Sequence, residues 1–353
     1  MNLAVERHGL PLADPFGISR GTAETAAVVL VELAHEGTRG LGGVAPSAYY
    51  GQDAAAVAAA LADLRPALEA SADPHAHQRL LGMARERHPD ATAAHAALST
   101  ALADLAARDL GVACYRQWGL DPDAAPRTSY TVGIDAPARM AEKAAAATDA
   151  GYPILKVKLG TDDDRARFRA VREAAPDATV RVDANGAWDA ATALERADWL
   201  AAAGVEFLEQ PVPADNLAGL ARVHREAPLP VAADEACVDA ADVPAVADAC
   251  DVVVVKVSKC GGLDAARAHR EAARAHGLDA MLGCMVESWA SLAPAWHLAP
   301  LFEYADLDGP LLLAADPVAG PPTDGARVDL AAVERGSGAR SDAGERPGPA
   351  PST

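Results

Sequence analysis

The sequence predicts an α/β protein: a modified (β/α)8 TIM barrel behind an N-terminal α+β capping domain. Three observations carry this expectation. From about residue 125 to 315, short apolar runs recur every 22–27 residues, centred near positions 131, 156, 182, 208, 232, 254, 281 and 306, with amphipathic helical stretches between them. Eight strands at one βα spacing is the pattern of a closed parallel barrel with right-handed crossovers. The preceding residues have another rhythm, strands followed by alanine-rich helices, which is an α+β pattern. Finally, 353 residues exceed one domain of about 150, while the barrel span is shorter than the usual about 250. The first domain is therefore expected to cover part of the barrel.

Taken in order, residues 26–35 read as a strand, Glu36-Gly37 as a turn, and 39–44 as a returning strand. Helical periodicity runs from about 52 to 108, with breaks near Pro74 and Pro89. The capping domain is drawn as residues 1–118 and the barrel as 119–315; residues 316–333 are expected to return to the cap. Residues 334–353 are rich in Gly, Ser, Pro and Arg without apolar periodicity, and read as a disordered tail. An open doubly wound sheet also alternates β and α. No GxGxxG or Walker pattern follows any strand, so its nucleotide-binding form has no support.

Composition narrows the function. Half the residues are hydrophobic, enough for a packed core. With 31 basic against 50 acidic side chains the formal charge is −19, a poor match for nucleic acid or anionic lipid. No apolar run is long enough to span a membrane, and Glu6, Arg7 and Asp14 interrupt any signal-peptide pattern. Five scattered cysteines, never in a CxxC pair, read as reduced cytoplasmic thiols. A homo-oligomer is left open.

Catalytic groups in a barrel lie at the C-terminal ends of the strands. Here those ends read Lys156-Val157-Lys158, Asp183-Ala184-Asn185, Glu209-Gln210-Pro211, Asp234-Glu235, Lys256 and Asp306-Leu307-Asp308. Ionisable groups on core strands are costly unless paired or metal-bound. Asp183, Glu209 and Asp234 come from three adjacent strands about 4.8 Å apart, so they can converge on one ion. All-oxygen ligation selects a hard cation, Mg²⁺ before Mn²⁺. Lys158 and Lys256 sit on strands four apart in a ring of eight, facing each other across the mouth. Such a pair can remove a proton from one face of a bound molecule and return it to the other. The proton must be acidified by an adjacent carboxylate or carbonyl, giving an enediolate that a divalent cation stabilises. A lysine base needs its pKa lowered, which Lys156 and the metal would favour. Lys259 reads as a partner for a carboxylate. His75-Ala76-His77 reads as a solvated pair, and His224, His269 and His276 as surface residues.

The order KxK, Asp-x-Asn, Glu-Gln-Pro, Asp-Glu, then Lys in Val-Val-Lys-Val-Ser-Lys-Cys-Gly-Gly resembles the enolase superfamily, muconate-lactonising subgroup, over about residues 1–330. The resemblance implies one Mg²⁺ held by Asp183, Glu209 and Asp234, Lys158 and Lys256 as the acid/base pair, and Lys156 beside the enolate oxygen. Asp306-Leu307-Asp308 is similar to the DxD motif of dipeptide epimerases, whose carboxylates bind the substrate α-ammonium. Residues Pro15 to Gly21 resemble the mobile loop that closes the site. Arg20 there matches the arginine that meets the glutamate side chain in L-Ala-D/L-Glu epimerases, and a guanidinium suits a carboxylate. Thr131, and the run containing Cys284 and Met285, match the site walls. The resemblance thus implies a small-molecule dipeptide substrate inverted at the α-carbon of its second residue. o-Succinylbenzoate synthase, N-acyl amino acid racemase and cycloisomerase chemistry on the same scaffold is the alternative. A Schiff-base lyase using Lys256 and a non-catalytic binding protein are more distant ones.

Overall fold

The computed structural model describes residues 1–341. The chain opens with an antiparallel sheet of β1 (Asn2–Ile18), β2 (Gly21–His35) and β3 (Thr38–Val44), in that order. β1 carries no strand signal in the sequence reading above, because Pro11 and Pro15 interrupt it and proline cannot donate to a ladder. The register indeed shifts between Pro11 and Phe16. The expected closing loop is the tip of this long hairpin, turning at Ser19 and Arg20.

Three helices follow, α1 (Ala54–Glu69), α2 (His77–Arg87) and α3 (Thr92–Asp109), with the two proline-bearing breaks between them. α3 is buried on every side from Ala93 to Ala107. Its alanines let β3 approach on one side and the turn Val257–Cys260 of the barrel on another. The approach is closest at the glycines of β3. A Cβ on Gly42 would stand 2.2 Å from the Ala101 nitrogen and 2.7 Å from its Cα, backbone that cannot move aside. Gly42→Ala is expected to lower stability by about 1–3 kcal/mol or more. Gly82→Ala, in the middle of α2 with nothing within 4 Å, should leave it level or raise it slightly. Denaturant midpoints of the two variants check this; equal midpoints would remove the close-approach argument.

The barrel strands are β4 (Tyr130–Val132), β5 (Ile154–Lys158), β6 (Thr179–Asp183), β7 (Val205–Glu209), β8 (Val231–Ala233), β9 (Val252–Lys256), β10 (Asp279–Gly283) and β11 (Tyr304–Asp306). They form one parallel sheet in sequence order, and each expected run falls on one of them. A parallel bridge from Thr128 to Ala305 brings the first and last strands together. The apolar residues at alternate positions fill the interior, while the chemistry-bearing residues collect at the C-terminal ends.

The tail expectation is corrected in part. Residues 334–341 are held by backbone hydrogen bonds that apolar periodicity does not report. Gly336 donates to Val112 O (2.8 Å) and accepts from Cys114 N (2.9 Å). Ser337, fully buried, donates its N–H and hydroxyl to Asp104 Oδ1 at 2.6 and 2.8 Å. Arg340–Ser341 pairs with Val318–Ala319. The remainder of the expected tail, 342–353, lies outside the described residues. Among the described residues no helix is long and apolar enough to cross a membrane.

Candidate active site

The strand ends place their side chains at two shared levels. Lys158 on β5 is in register with Asp183 on β6, and Asp183 with Glu209 on β7. Across the ring, Lys256 on β9 is level with Gly283, and Gly283 with Asp306. Gly283 gives Lys256 its room: a Cβ there would lie 3.2 Å from the lysine Cε.

Asp183, Glu209 and Asp234 are at most 1% exposed, and ammonium groups lie between them. Lys158 Nζ is 2.5 Å from Asp183 Oδ2, and Lys256 Nζ 2.6 Å from Asp234 Oδ2. Lys156 Nζ donates to Glu209 Oε1 and Asp306 Oδ2, both at 2.8 Å. Lys259 donates to Asp234 Oδ1 (2.8 Å), to its backbone oxygen (2.6 Å) and to Val254 O (2.8 Å), so it is the carboxylate partner its sequence position implied.

Electrostatics follow from burial with incomplete compensation. Burial raises the Asp183 and Asp234 pKa values, but Lys158 and Lys156 pull Asp183, and Lys256 and Lys259 pull Asp234, below the usual carboxylate range. Glu209, driven by burial and by the charges of Asp183 and Asp234, is pushed up to about 8. Burial alone would lower Lys256, yet Asp234 outweighs it and holds the ammonium pKa well above its ordinary value. The lowered lysine pKa expected from the sequence is therefore not the state of Lys256 beside an unshared Asp234. The donor set fits a divalent hard cation: three buried carboxyl groups at adjacent strand ends, one of them, Glu209, left under-compensated although Lys156 lies beside it. Among the described residues no three His, Cys, Asp or Glu side chains converge on one point, and the ammonium groups of Lys156, Lys158 and Lys256 lie against the three carboxylates.

Two residues missed by the sequence reading hold this arrangement. Asn185 and Gln210 follow the strand ends in left-handed backbone (φ 45° and 38°), costly for non-glycine residues and frequent at functional sites. Gln210 Oε1 accepts from Asp234 N (3.0 Å) and Ala236 N (3.1 Å), fixing the end of β8. Asn185 Nδ2 donates to Asp183 Oδ2 and Glu235 Oε1, both at 3.2 Å. Their signal was present in the Asp-x-Asn and Glu-Gln-Pro runs, but only the strand geometry shows what the amides do.

A cavity of about 190 Å³ opens above these groups. Lys156, Lys158 and Lys256 line it, with Thr131, Asp306 and Asp308 on the β11 side and Cys284 and Met285 after β10. The cap closes it with Phe16, Ile18 and Arg20 of the hairpin tip and with Tyr49 and Tyr50, whose contribution the sequence did not reveal. The tip is seated on the barrel: Ile134 N donates to Gly17 O at 2.7 Å. Arg20 reaches Glu235 Oε1 and Asn185 O, both at 2.9 Å, beneath the Tyr49 ring. Asp306 has both oxygens engaged, by Ser129 Oγ (2.5 Å) and Lys156, and despite burial these hold its pKa down. Asp308 accepts from Thr131 N (2.5 Å); burial and Asp306 push it up to about 7. His269, expected at the surface, is fully buried, with Nε2 3.2 Å from Cys237 Sγ and its pKa lowered by burial to about 4.

The profile described as "Enolase C-terminal domain-like" matches residues 139–327, and "Mandelate racemase / muconate lactonizing enzyme, N-terminal domain" matches 1–117. The chain belongs to the enolase superfamily. It lies in the mandelate racemase/muconate-lactonising subgroup and is closely related to dipeptide epimerases. It is 39% identical to the L-Ala-D/L-Glu epimerase of Escherichia coli K12 over 87% of this chain and 92% of the relative. The dipeptide epimerase of Enterococcus faecalis V583, solved with Mg and L-Leu-L-Tyr, superposes with a TM-score of 0.89 at 30% identity, covering 96% of this chain and 98% of that one. The dipeptide epimerase of Methylococcus capsulatus, solved with Mg and L-Arg-D-Lys, gives 0.87 at 34%, covering 96% and 98%. The relatives are isomerases, and this member of the superfamily is an isomerase as well.

Proposed function

We propose that this enolase-superfamily member epimerises dipeptides at the α-carbon of the second residue, L-Ala-D/L-Glu foremost, by 1,1-proton transfer between Lys158 and Lys256. The observation that carries the reading is that two lysines, from strands four apart in the ring, stand on the walls of one cavity. Asp306 and Asp308 line the same cavity, and Lys156 on its wall bridges Asp306 to the buried Glu209.

Asp183, Glu209 and Asp234 would hold Mg²⁺, or Mn²⁺ in its place. When bound, the ion supplies a fixed positive charge toward the substrate carboxylate, which acidifies the adjacent α-carbon. Lys156, locked by Glu209 and Asp306, keeps a second positive charge beside the proposed ion. One of Lys158 and Lys256 removes the α-proton from its face, and the other delivers a proton to the opposite face. With Asp306 already satisfied, Asp308 is the carboxylate left to accept the substrate ammonium. Thr131, Cys284 and Met285 line the substrate, and the hairpin tip covers it. Five unpaired thiols accord with a cytoplasmic enzyme.

A dipeptide library incubated in D₂O and read by mass tests the proposal; substrates gain one deuterium at the second α-carbon. No exchange with any dipeptide, or better turnover of N-succinyl amino acids, would sink the dipeptide reading. Arg20→Ala is expected to lower kcat/KM for L-Ala-L-Glu by roughly 10- to 150-fold, through the lost contact and the Glu235 charge it leaves unpaired, while L-Ala-L-Met changes little. An equal loss on both would reduce Arg20 to closing the lid.

A further inference from the structure

Arg20 is not a free cation. Its Nη1 serves both Glu235 Oε1 and Asn185 O at 2.9 Å, and the Tyr49 ring covers the guanidinium at 4.5 Å from its centroid. Glu235 is buried, 5% exposed; its Oε1 also accepts from Asn185, and its Oε2 has no hydrogen-bond partner. Arg20, Tyr49, Asn185 and Glu235 together form the wall between the inner cavity and an outer one of about 510 Å³. A charge that is compensated before the substrate arrives cannot be given whole to a substrate carboxylate. Glu235 therefore acts in two directions. It aims Arg20 across the mouth, and it cancels most of the field that would favour an anionic side chain over an uncharged one. With Glu235 buried and Arg20 partly exposed, solvent screens this cancellation less than at a fully exposed pair.

We propose that Glu235 is a specificity-determining residue: paired with Arg20, it makes the subsite for the second side chain charge-neutral, so uncharged second residues are accepted beside glutamate. The inference rests on the dipeptide reading above. It also predicts a latent preference. Once Arg20 is neutralised, the uncompensated Glu235 should attract a cationic side chain.

The test compares kcat/KM for L-Ala-L-Glu, L-Ala-L-Met and L-Ala-L-Lys in the metal-loaded wild type, Glu235→Gln and Arg20→Gln. Glutamine keeps the acceptor for Arg20 and removes the charge. The Ala-Glu to Ala-Met ratio should rise about tenfold or more in Glu235→Gln, as expected for a unit charge removed a few ångströms away in a partly desolvated site. Ala-Met is the internal reference, since a loss of fold or of the ion falls on every substrate. A ratio that stays the same or falls overturns the proposal. Should Glu235→Gln fail to fold, Arg20→Gln decides. At the exposed hairpin turn it leaves the core untouched, and its Ala-Lys to Ala-Met ratio should rise about tenfold. An unmoved ratio there overturns the proposal equally. If the wild type turns over none of the three dipeptides, the dipeptide reading fails and this inference with it. If it turns them over but neither ratio moves, this inference alone fails.

Discussion

Lys158→Ala and Lys256→Ala are each expected to abolish epimerisation, lowering its rate by about a thousandfold or more. Inversion needs a group on each face of the α-carbon, and in the proposed mechanism β5 and β9 supply one each. The two variants should not be inert to the same degree in every assay. With one lysine removed, the other still sees its own face, takes the α-proton of the epimer presented to it and returns a deuteron with retention. Proton NMR in D₂O, started separately from the L,L and L,D substrates, should therefore show exchange from one epimer only, and opposite epimers for the two variants. Each lysine also neutralises a carboxylate, Lys158 that of Asp183 and Lys256 that of Asp234. A Lys→Met pair with unchanged thermal melting separates chemistry from folding. Normal epimerisation by Lys256→Ala would end the two-base mechanism.

Removal of divalent metal should be as severe. Asp183, Glu209 and Asp234 are three buried carboxyl groups at neighbouring strand ends, and burial together with the charges of the two aspartates pushes Glu209 up to about 8. Exhaustive chelation is expected to reduce turnover to background, and Mg²⁺ to restore it in proportion to occupancy, because electrostatic stabilisation by such an ion is worth several kcal/mol. A second readout is independent of turnover: Mn²⁺ titrated into the chelated protein should bind at one site per chain by electron paramagnetic resonance, and Glu209→Gln should weaken that binding. Full activity in metal-free protein would refute the carboxylate assignment.

The barrel was legible because its repeat is carried by apolar runs, and Val252 to Lys256, four valines and a lysine, shows why. The strand is buried on both faces, so it reads as a continuous run, and the single charge marks the catalytic end. The same logic exposed Asp183, Glu209 and Asp306. What escaped notice depends on backbone or on long-range contact. β1 was hidden by prolines, Gly336 and Ser337 are held by hydrogen bonds to α3 and its end, and His269 sits on a polar-looking helix beside Cys237. Tyr49 and Tyr50 meet the site only because the cap folds over it, about 80 residues from the nearest barrel strand in sequence. Glu235 was quoted as one half of Asp-Glu, but its grip on Arg20 joins residues 215 positions apart and has no local signature.

The hairpin tip has a consequence for how such an enzyme can change. Every group proposed to handle the proton stands on the barrel, whereas Phe16, Ile18, Arg20, Tyr49 and Tyr50, which close over the substrate, stand on two short stretches of the cap. Part of the selection is thus written apart from the reaction, while Glu235 and Asp308 contribute to it from the barrel. Mutations confined to residues 16–20 and 47–50 can retune what is admitted while leaving the proton relay untouched, so new substrate ranges are reachable by drift without passing through an inactive ancestor.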